Sequence, residues 1–280
     1  MNTFKPGLYV VATPIGNLDD ITLRSLDILK KSDIILCEDT RRTLKLLNHF
    51  KIKKKLIPYH KFNEKKELNS IIKYLNEGKI LSLVSDAGTP TLSDPGLILI
   101  KECIEKKIDI YPVPGPSSIT ASYSVSGFED QFIFYGFLPK KEKELHKALS
   151  SLQDNDFAII FFIPAIKINY YIESFKKYFI DRKILIAREI SKIHETYYRY
   201  KIKDLKFFKS KLKGELTVVI SKKYNINKKV LTVDVKKEAL KYLKKYSLKD
   251  VVELISKREN ISKKEVYNIC LELKKNEKNH

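Results

Sequence analysis

Four short segments of this chain combine residues that are suited to binding a polar ligand. Each follows an apolar run typical of a buried strand, and each joins glycine, proline or threonine to hydroxyl or acidic side chains. They are residues 13–17 (TPIGN), 38–42 (EDTRR), 85–90 (SDAGTP) and 114–118 (PGPSS). Because the carboxyl ends of parallel strands meet at one edge of a sheet, these loops are expected to form one site there.

Glycine is rare in this chain, with only 9 residues in 280. Three of these, Gly16, Gly88 and Gly115, lie in the four segments, and Gly96 and Gly136 lie in two further stretches discussed below, SDAGTPTLSDPG and YGFLP. Glycine is needed where the backbone takes a positive φ or approaches a ligand closely. Its placement therefore favours ligand-binding loops over ordinary connections between strands and helices.

Several common enzyme sites are missing from the sequence. It has no G-x-G-x-x-G dinucleotide turn, no Walker phosphate loop and no nucleophile elbow. The five histidines lack metal-ligand spacing, and the three cysteines are too far apart for a zinc site and odd in number for disulfides. We therefore expect no metal, and a reduced, cytoplasmic protein without a signal peptide or membrane span.

The charge of the chain indicates a polyanionic partner. The net charge is +20, from 54 basic and 34 acidic residues, and clustered cations attract phosphate backbones. Because 47 of the basic residues are lysine, a pattern that a biased genome also produces, the 7 arginines are more informative. Arg41 and Arg42 are expected to contact phosphate through their guanidinium groups, with a structural ion pair as the alternative.

Strand and helix patterns alternate over the first part of the chain, which predicts a mostly parallel sheet with right-handed crossovers. Four strands are predicted there: residues 8–13, 33–37, 80–84 and 108–113. Ser93-Asp94-Pro95 is typical of a helix start, with a capping side chain before proline. We assign residues 1–118 to this N-terminal α/β domain.

The remainder of the chain predicts two further domains. Aromatic and β-branched runs at 132–137, 157–163, 183–187, 195–201 and 216–220 predict a second α/β domain, residues 119–224, with a mixed sheet. Helical patterns at 235–246, 248–257 and 262–275 predict a small helical module at 225–280. Its short turn suggests a helix-turn-helix-like module, although a plain bundle fits equally well. This module holds 15 basic and 8 acidic residues, which mildly favours binding to nucleic acid.

Five motifs, in this order and spacing, resemble the tetrapyrrole methylase superfamily: TPIGNLDDITLRSL, CEDTRR, SDAGTPTLSDPG, VPGPSSITA and YGFLP. Within it, they resemble the bacterial family of small-subunit (16S) ribosomal RNA 2′-O-methyltransferases, which modify the ribose of a cytidine in the decoding region. The likeness spans residues 7 to about 222, and residues 235–275 resemble the helical extension of many members. The resemblance implies S-adenosylmethionine as methyl donor, S-adenosylhomocysteine as product, the RNA or the small subunit as partner, and usually a homodimer.

The resemblance also implies roles for individual residues. The expected cofactor-binding residues are Pro14, Gly16, Asp86, Gly88, Thr89, Ser117, Ser118, Ile163 and Pro164. Asn17, Arg41 and Arg42 are expected to contact RNA. Glu38 and Asp39, which follow a strand at the edge of the cleft, are candidates for accepting the proton of the ribose hydroxyl. An ion pair or a helix N-cap is the alternative for these two carboxylates.

One stretch departs from the family pattern. Where the family commonly has residues like Glu-Ser-x-x-Arg, this chain has Ile163-Pro164-Ala165-Ile166-Lys167, so an acidic and basic pair is missing. This departure keeps open a catalytically weakened RNA-binding member of the fold. A methyltransferase acting on a small tetrapyrrole-like acceptor is the other alternative. A basic surface near Arg41, Arg42 and the terminal helices would favour RNA, and an apolar, enclosed cleft would favour a macrocycle.

Overall fold

The computed structural model describes residues 4–128, 131–223, 233–259 and 261–277. Backbone contacts divide the chain into two units, Met1–Lys223 and Tyr224–His280. The first unit contains two five-stranded sheets, and the described part of the second contains helices. The first residues of the predicted helical module, 225–232, lie outside the described residues.

The first sheet is parallel throughout. Its strands are β1 (Gly7–Val11), β2 (Ile34–Cys37), β3 (Lys55–Pro58), β4 (Ile80–Val84) and β5 (Ile110–Val113), in the order β3-β2-β4-β1-β5. The sequence predicted only four of these strands. It did not predict β3, because this edge strand is four residues long, half-exposed, and ends in proline, so it lacks the apolar run of a central strand.

Helices cover both faces of the first sheet. They are α1 (Leu23–Lys31), α2 (Thr40–His49), α3 (Glu64–Asn76) and α4 (Leu97–Glu105), whereas α5 (Ser118–Ser124), which follows β5, packs with the second sheet. Successive residues of β4 point to opposite faces, as the two-residue period of a strand requires. Leu83 packs with Ile71 of α3, and Val84 packs with Ile28 of α1. The three inner strands, β1, β2 and β4, are therefore buried on both sides, which explains their continuous apolar sequences.

The start of α4 differs from the prediction. The helix begins at Leu97 with Gly96 as N-cap, not at Ser93-Asp94-Pro95. Gly96 has φ +128, and its N–H donates at 2.8 Å to Oε1 of Glu64, a buried carboxylate at the start of α3. The cap is thus supplied by another helix, which local sequence does not show, and Asp94 is left in the loop before α4.

The second sheet is mixed, as predicted. It contains β6 (Phe132–Phe137), β7 (Ala158–Pro164), β8 (Lys183–Arg188), β9 (Thr196–Lys201) and β10 (Glu215–Ile220), in the order β6-β7-β10-β8-β9. Only β6 and β7 pair in parallel. One face packs against α6 (Glu142–Leu152) and α7 (Ile168–Phe179). The other face receives Ile119 of α5, which therefore packs with this sheet.

Arg182, between α7 and β8, is buried, with 2% of its surface exposed. Its guanidinium donates to five main-chain carbonyl oxygens, those of Leu152, Gln153, Asn155, Phe157 and Ser221, over 2.6–3.5 Å. Burial lowers the pKa of this group. This arginine ties the end of α6 and the segment after it to the second sheet, so its role is structural.

The described part of the second unit contains three helices. They are α8 (Val233–Leu243), α9 (Leu248–Glu259) and α10 (Lys263–Glu277), as predicted from the sequence. Their core includes Ala239, Ile255 and Val266. Ser247 caps α9, because its Oγ accepts from the Asp250 N–H at 3.3 Å.

No helix in the described part of the chain has both the length and the apolar content needed to cross a membrane.

Candidate functional site

A cleft of about 400 Å³ lies between the two sheets of the first unit. Loops at the carboxyl edge of the first sheet form one wall. The ends of β7 and β8 and the start of β10 form the other. This volume is in the range of sites that bind nucleoside-sized ligands.

The structure brings together most of the residues that the sequence assigned to a site. Those lining the cleft are Glu38, Arg42, Asp86, Gly88, Thr89, Ser117, Ser118, Ile163 and Pro164. Those outside its lining are Pro14, Gly16, Asn17, Asp39 and Arg41. The predicted loops after the parallel strands thus do meet at the cleft. Within the first two loops, however, some of the predicted residues lie outside the lining.

Two of the cleft loops are joined through their backbones. The N–H of Thr13 donates to the Gly88 carbonyl at 2.9 Å, and the Gly88 N–H donates back to the Thr13 carbonyl at 2.9 Å. The Thr13 hydroxyl also donates to the Ser85 carbonyl at 3.2 Å. Gly88 has φ +79, and a Cβ there would lie 3.3 Å from Cγ2 of Ile15. Gly88 therefore helps to fix the shape of the cleft wall that the first sheet provides.

We expect Gly88→Ala to weaken binding of the cofactor that the resemblance implies by about tenfold or more, because the added Cβ would press on Ile15, which also lines the cleft, and overpacking of this kind costs about 1–3 kcal/mol. The measurement is calorimetric titration with S-adenosylhomocysteine. The matched control is Gly78→Ala, since Gly78 has φ +76 with no atom within 4 Å of an added Cβ. Both variants should lose stability, and only Gly88→Ala should lose affinity. Equal affinities would contradict the assignment.

Gly16 and Asn17 contact the loop after β8 instead of lining the cleft. A Cβ on Gly16 would lie 2.5 Å from Cγ of Lys192 and 2.8 Å from the Ile190 carbonyl oxygen. The Asn17 N–H donates to Oγ of Ser191 at 3.1 Å. Glycine is thus required at position 16 by close packing between the two halves of the first unit.

Asp86 connects the loops after β2 and β4. Its Oδ1 accepts from the Asp39 N–H at 3.0 Å, and its Oδ2 lies 3.5 Å from Nε of Arg42. The Asp39 carboxylate caps α2 and also pairs with the Arg41 guanidinium at 2.7 Å. These hydrogen bonds from Arg41 hold the pKa of Asp39 well below its usual range. The Asp39 carboxylate is therefore occupied by α2, which was the structural alternative.

Acidic groups dominate the polar lining of the cleft. The five are Glu38, Asp86, Asp94, Glu189 and Glu215. Burial, followed by the neighbouring Glu38, raises the pKa of Asp94 to about 6. Burial also raises the pKa of Glu38, with the charge of Asp86 adding to the effect. Such a lining suits a ligand with a cationic group, such as a sulfonium or an ammonium.

Glu189 and Lys192 form an ion pair on the wall provided by the second sheet. Nζ of Lys192 lies 3.0 Å from Oε1 of Glu189, and that same oxygen accepts the Glu215 N–H at 3.0 Å. Although burial opposes it, these hydrogen bonds lower the pKa of Glu189. An acidic and basic pair is therefore present on the same wall as Ile163 and Pro164, in the loop after β8, which β10 separates from β7.

Several lining residues were not predicted. They are Ile15, Ala87, Leu92, Ser93, Asp94, Ile119, Phe137, Phe162, Ala187, Glu189, Ile190, Lys192, Gly214, Glu215, Leu216 and Thr217. Asp94 was assigned to a helix start, and no role was assigned to Glu189 or Lys192. The YGFLP motif, which contains Phe137, was the one local signal for the apolar residues. The residues from 162 onward depend on how the strands of the second sheet pair, whereas Ile15 and Ala87 lie within loops that the sequence did predict.

Comparisons with known proteins show which family the chain resembles. Residues 7–206 match the family described as Tetrapyrrole (Corrin/Porphyrin) Methylases. The chain is 44% identical over 219 residues to the Ribosomal RNA small subunit methyltransferase I of Thermotoga maritima, covering 77% of this chain and 98% of that protein. It is 40% identical over 283 residues to the protein of the same name from Buchnera aphidicola subsp. Acyrthosiphon pisum, covering 95% and 97%.

Solved structures show the same fold. The methyltransferase CobJ superposes with a TM-score of 0.60 at 17% identity, covering 77% of this chain and 94% of that one. The uroporphyrin-III C-methyl transferase of Thermus thermophilus, complexed with S-adenyl homocysteine, gives a TM-score of 0.56 at 12% identity, covering 77% and 97%.

Proposed function

Because the chain belongs to the tetrapyrrole methylase family and, within it, to the ribosomal RNA small subunit methyltransferase I group, we propose that it methylates small-subunit ribosomal RNA with S-adenosylmethionine as donor. The acceptor is the ribose 2′-oxygen of a cytidine in the decoding region, the working form is a homodimer, and the location is the cytoplasm. The observation that carries this proposal is the 40% identity over 95% of the chain to a relative of that name.

The cleft residues fit the proposed donor. Carboxylates suit its sulfonium and ammonium charges, and the bare backbone of Gly88 offers a surface that a Cβ would obstruct. When bound, S-adenosylmethionine supplies an activated methyl group and leaves as S-adenosylhomocysteine. We assign Asp86, Gly88 and Thr89 to its amino-acid end and Ile163 with Pro164 to the adenosine.

The remaining predicted contacts keep supporting roles in this proposal. Ser117 and Ser118 line the cleft beside the donor. Pro14 and Gly16 shape the first loop from outside the lining. Asn17 lies on the same loop and is kept as an RNA contact.

A basic rim with one exposed aromatic ring supports RNA as the substrate. Arg42 lines the cleft and pairs only distantly with Asp86, at 3.5 Å, and the Arg41 side chain is 87% exposed. Phe62, in the turn after β3, is 96% exposed. This turn follows the strand beside β2, so it lies on the sheet edge that carries Glu38 and Arg42.

The turn that carries Phe62 is held by its own hydrogen bonds. The His60 N–H donates to Oδ1 of Asn63 at 2.8 Å, and Nδ2 of Asn63 donates to the Pro58 carbonyl at 2.8 Å. Lys61 directly precedes Phe62, and Lys65, in the first turn of α3, comes three residues after it. An exposed aromatic ring on a turn of this kind, with lysines close by in the sequence, is suited to stacking with an unpaired base.

We expect Phe62→Ala to weaken binding to the small subunit by about 5- to 100-fold, since base–aromatic stacking contributes about 1–3 kcal/mol. Affinity for S-adenosylhomocysteine should not change. Phe62→Tyr keeps a ring and should retain most of the affinity, whereas Phe62→Leu keeps only apolar bulk and should not. Filter binding at fixed salt measures the effect, and equal affinity of the Leu and Tyr variants would exclude stacking.

The two alternatives are less well supported. A tetrapyrrole-like acceptor has less support because the chain is 40–44% identical to relatives named for ribosomal RNA and only 12–17% identical to CobJ and the uroporphyrin-III C-methyl transferase. A catalytically weakened RNA-binding member was suggested by the altered stretch at 163–167. Ile163 and Pro164 still form part of the cleft wall, however, together with the ion pair of Glu189 and Lys192.

The proposed function is tested by transfer of labelled methyl from S-adenosylmethionine to small ribosomal subunits that lack this modification. Naked small-subunit RNA is assayed in parallel. We expect the label in 2′-O-methylcytidine after digestion to nucleosides. Absence of label, with S-adenosylhomocysteine bound tightly, would favour the RNA-binding alternative.

A further inference from the structure

We propose that Asp94 accepts the proton of the ribose hydroxyl during methyl transfer, an inference that rests on the proposed function. Asp94 lines the cleft between the two sheets, in the loop that links β4 to α4. Its position there follows from the displaced start of α4, which leaves its carboxylate free of any capping role.

The loop around Asp94 is held in an unusual backbone conformation. Thr91 has φ +71 and Ser93 has φ +74, a region that residues with a Cβ rarely adopt. Such conformations persist where surrounding structure enforces them, and they cluster at functional sites. Gly136, at the bulge of β6, gives the loop its space, because a Cβ there would lie 3.0 Å from Oγ of Ser93.

Most other carboxylates near the cleft already have partners. Asp39 caps α2, Asp86 holds the Asp39 N–H and Arg42, and Glu189 pairs with Lys192. Glu215 lies 3.7 Å from Nζ of Lys192, with its side chain 81% exposed. Within the described residues, only Glu38 and Asp94 among the five cleft carboxyls form no ion pair.

The charges that face Asp94 favour its role over that of Glu38. Acidic groups approach it from three elements: Glu38 after β2, Asp86 after β4 and Glu215 at the start of β10. The cations of the cleft, Arg42 and Lys192, pair with other carboxylates. Burial and these acids raise the pKa of Asp94 to about 6, against a smaller opposing effect of the Ser85 hydroxyl. A base with a pKa near the working pH is effective in general catalysis.

The proposed step balances without a further reactant. The hydroxyl oxygen forms its bond to the methyl carbon while the bond from that carbon to the sulfonium sulfur breaks. The electron pair of the broken bond stays on sulfur, which becomes a neutral thioether. The hydroxyl proton moves to an Asp94 carboxylate oxygen and is then released to water.

The test uses the full-length protein with small ribosomal subunits in single-turnover transfer of labelled methyl. We expect Asp94→Asn to slow transfer by about 100-fold or more, with S-adenosylhomocysteine affinity changed less than about threefold. Asp94→Glu keeps a carboxylate and should recover part of the rate. Glu38→Gln removes the same charge from the same cluster and should slow transfer by less than about tenfold.

A second readout needs neither cofactor nor RNA. The pKa of Asp94 in the folded protein, about 6, lies above its ordinary value of 3.8. Ionisation of Asp94 therefore destabilises the fold, an effect absent below pH 4 and complete above pH 6. Asp94→Asn removes this effect, so its melting temperature should exceed that of the wild type at pH 8, and the difference should shrink towards pH 4.

Three results would overturn the inference. If Asp94→Asn transferred methyl as fast as the wild type, another group would accept the proton. The rate of Glu38→Gln would then show whether Glu38 is that group. Loss of S-adenosylhomocysteine affinity in parallel with the rate would make Asp94 a cofactor contact. If the wild type itself failed to label the RNA, both the proposed function and the inference would be wrong. The first two results, by contrast, would overturn only the role of Asp94.

Discussion

Asp86→Ala is expected to reduce methyl transfer by at least about 100-fold, because a hydrogen bond to a charged group contributes about 1.5–3 kcal/mol and Asp86 makes more than one such contact. Its carboxylate holds the Asp39 N–H at 3.0 Å and lies 3.5 Å from Nε of Arg42. Alanine would release the loop after β2 from the loop after β4 and remove a carboxylate from the cleft. The measurement is labelled methyl transfer, with calorimetry of S-adenosylhomocysteine binding beside it.

The comparison for this variant is Asp39→Asn. It removes a neighbouring negative charge and weakens the cap of α2, but it keeps the backbone N–H that Asp86 accepts. We expect a loss of about tenfold or less, since the affected ion pair is exposed. If Asp86→Ala bound S-adenosylhomocysteine like the wild type, Asp86 would not belong to the cofactor site.

Arg182→Ala is expected to lower the free energy of unfolding of the first unit by about 3–5 kcal/mol, because it leaves buried carbonyl oxygens without a donor. Five carbonyl oxygens share this guanidinium. For a unit of this size, the melting temperature should fall by roughly 10 °C. Urea and thermal unfolding, followed by circular dichroism, measure both quantities.

The control for Arg182 is an arginine with a single carbonyl partner. Arg199 donates to the Val125 carbonyl at 2.7 Å from an exposed position. Arg199→Ala should therefore change stability by no more than about 1 kcal/mol. If the two variants unfolded at the same temperature, the buried guanidinium would not be a major source of stability.

Much of the fold was predictable because most strands are apolar runs bounded by turn residues. β4, for example, is buried on both faces and therefore has a continuous apolar sequence. β3 was not predicted, since an edge strand that ends in Pro58 needs only one partner and little burial. The start of α4 depends on the side chain of Glu64, from a helix about 30 residues earlier.

From the local sequence pattern, the candidate site was predictable on one wall only, whereas Ile163 and Pro164 on the opposite wall were expected from the family resemblance. Loops after parallel strands converge at one sheet edge, so Asp86, Gly88 and Ser117 follow from the order of the strands. The opposite wall depends on the pairing of the second sheet, where Glu215 lies opposite Pro164. No local pattern specifies that pairing. Gly16 shows the same limit, because its requirement for glycine comes from Lys192 on a loop far along the chain.

The acidic lining of the cleft also has a consequence for turnover. In the proposed reaction the donor carries a positive sulfonium, and the product, a thioether, has lost that charge. Each nearby carboxylate therefore favours the donor over the product, by an amount on the order of 1 kcal/mol at a partly exposed site. Arg42 and Lys192 balance only some of the five carboxyl groups. The acidic lining therefore binds S-adenosylhomocysteine more weakly than S-adenosylmethionine. The same groups that attract the donor reduce product inhibition and speed exchange between rounds of methylation.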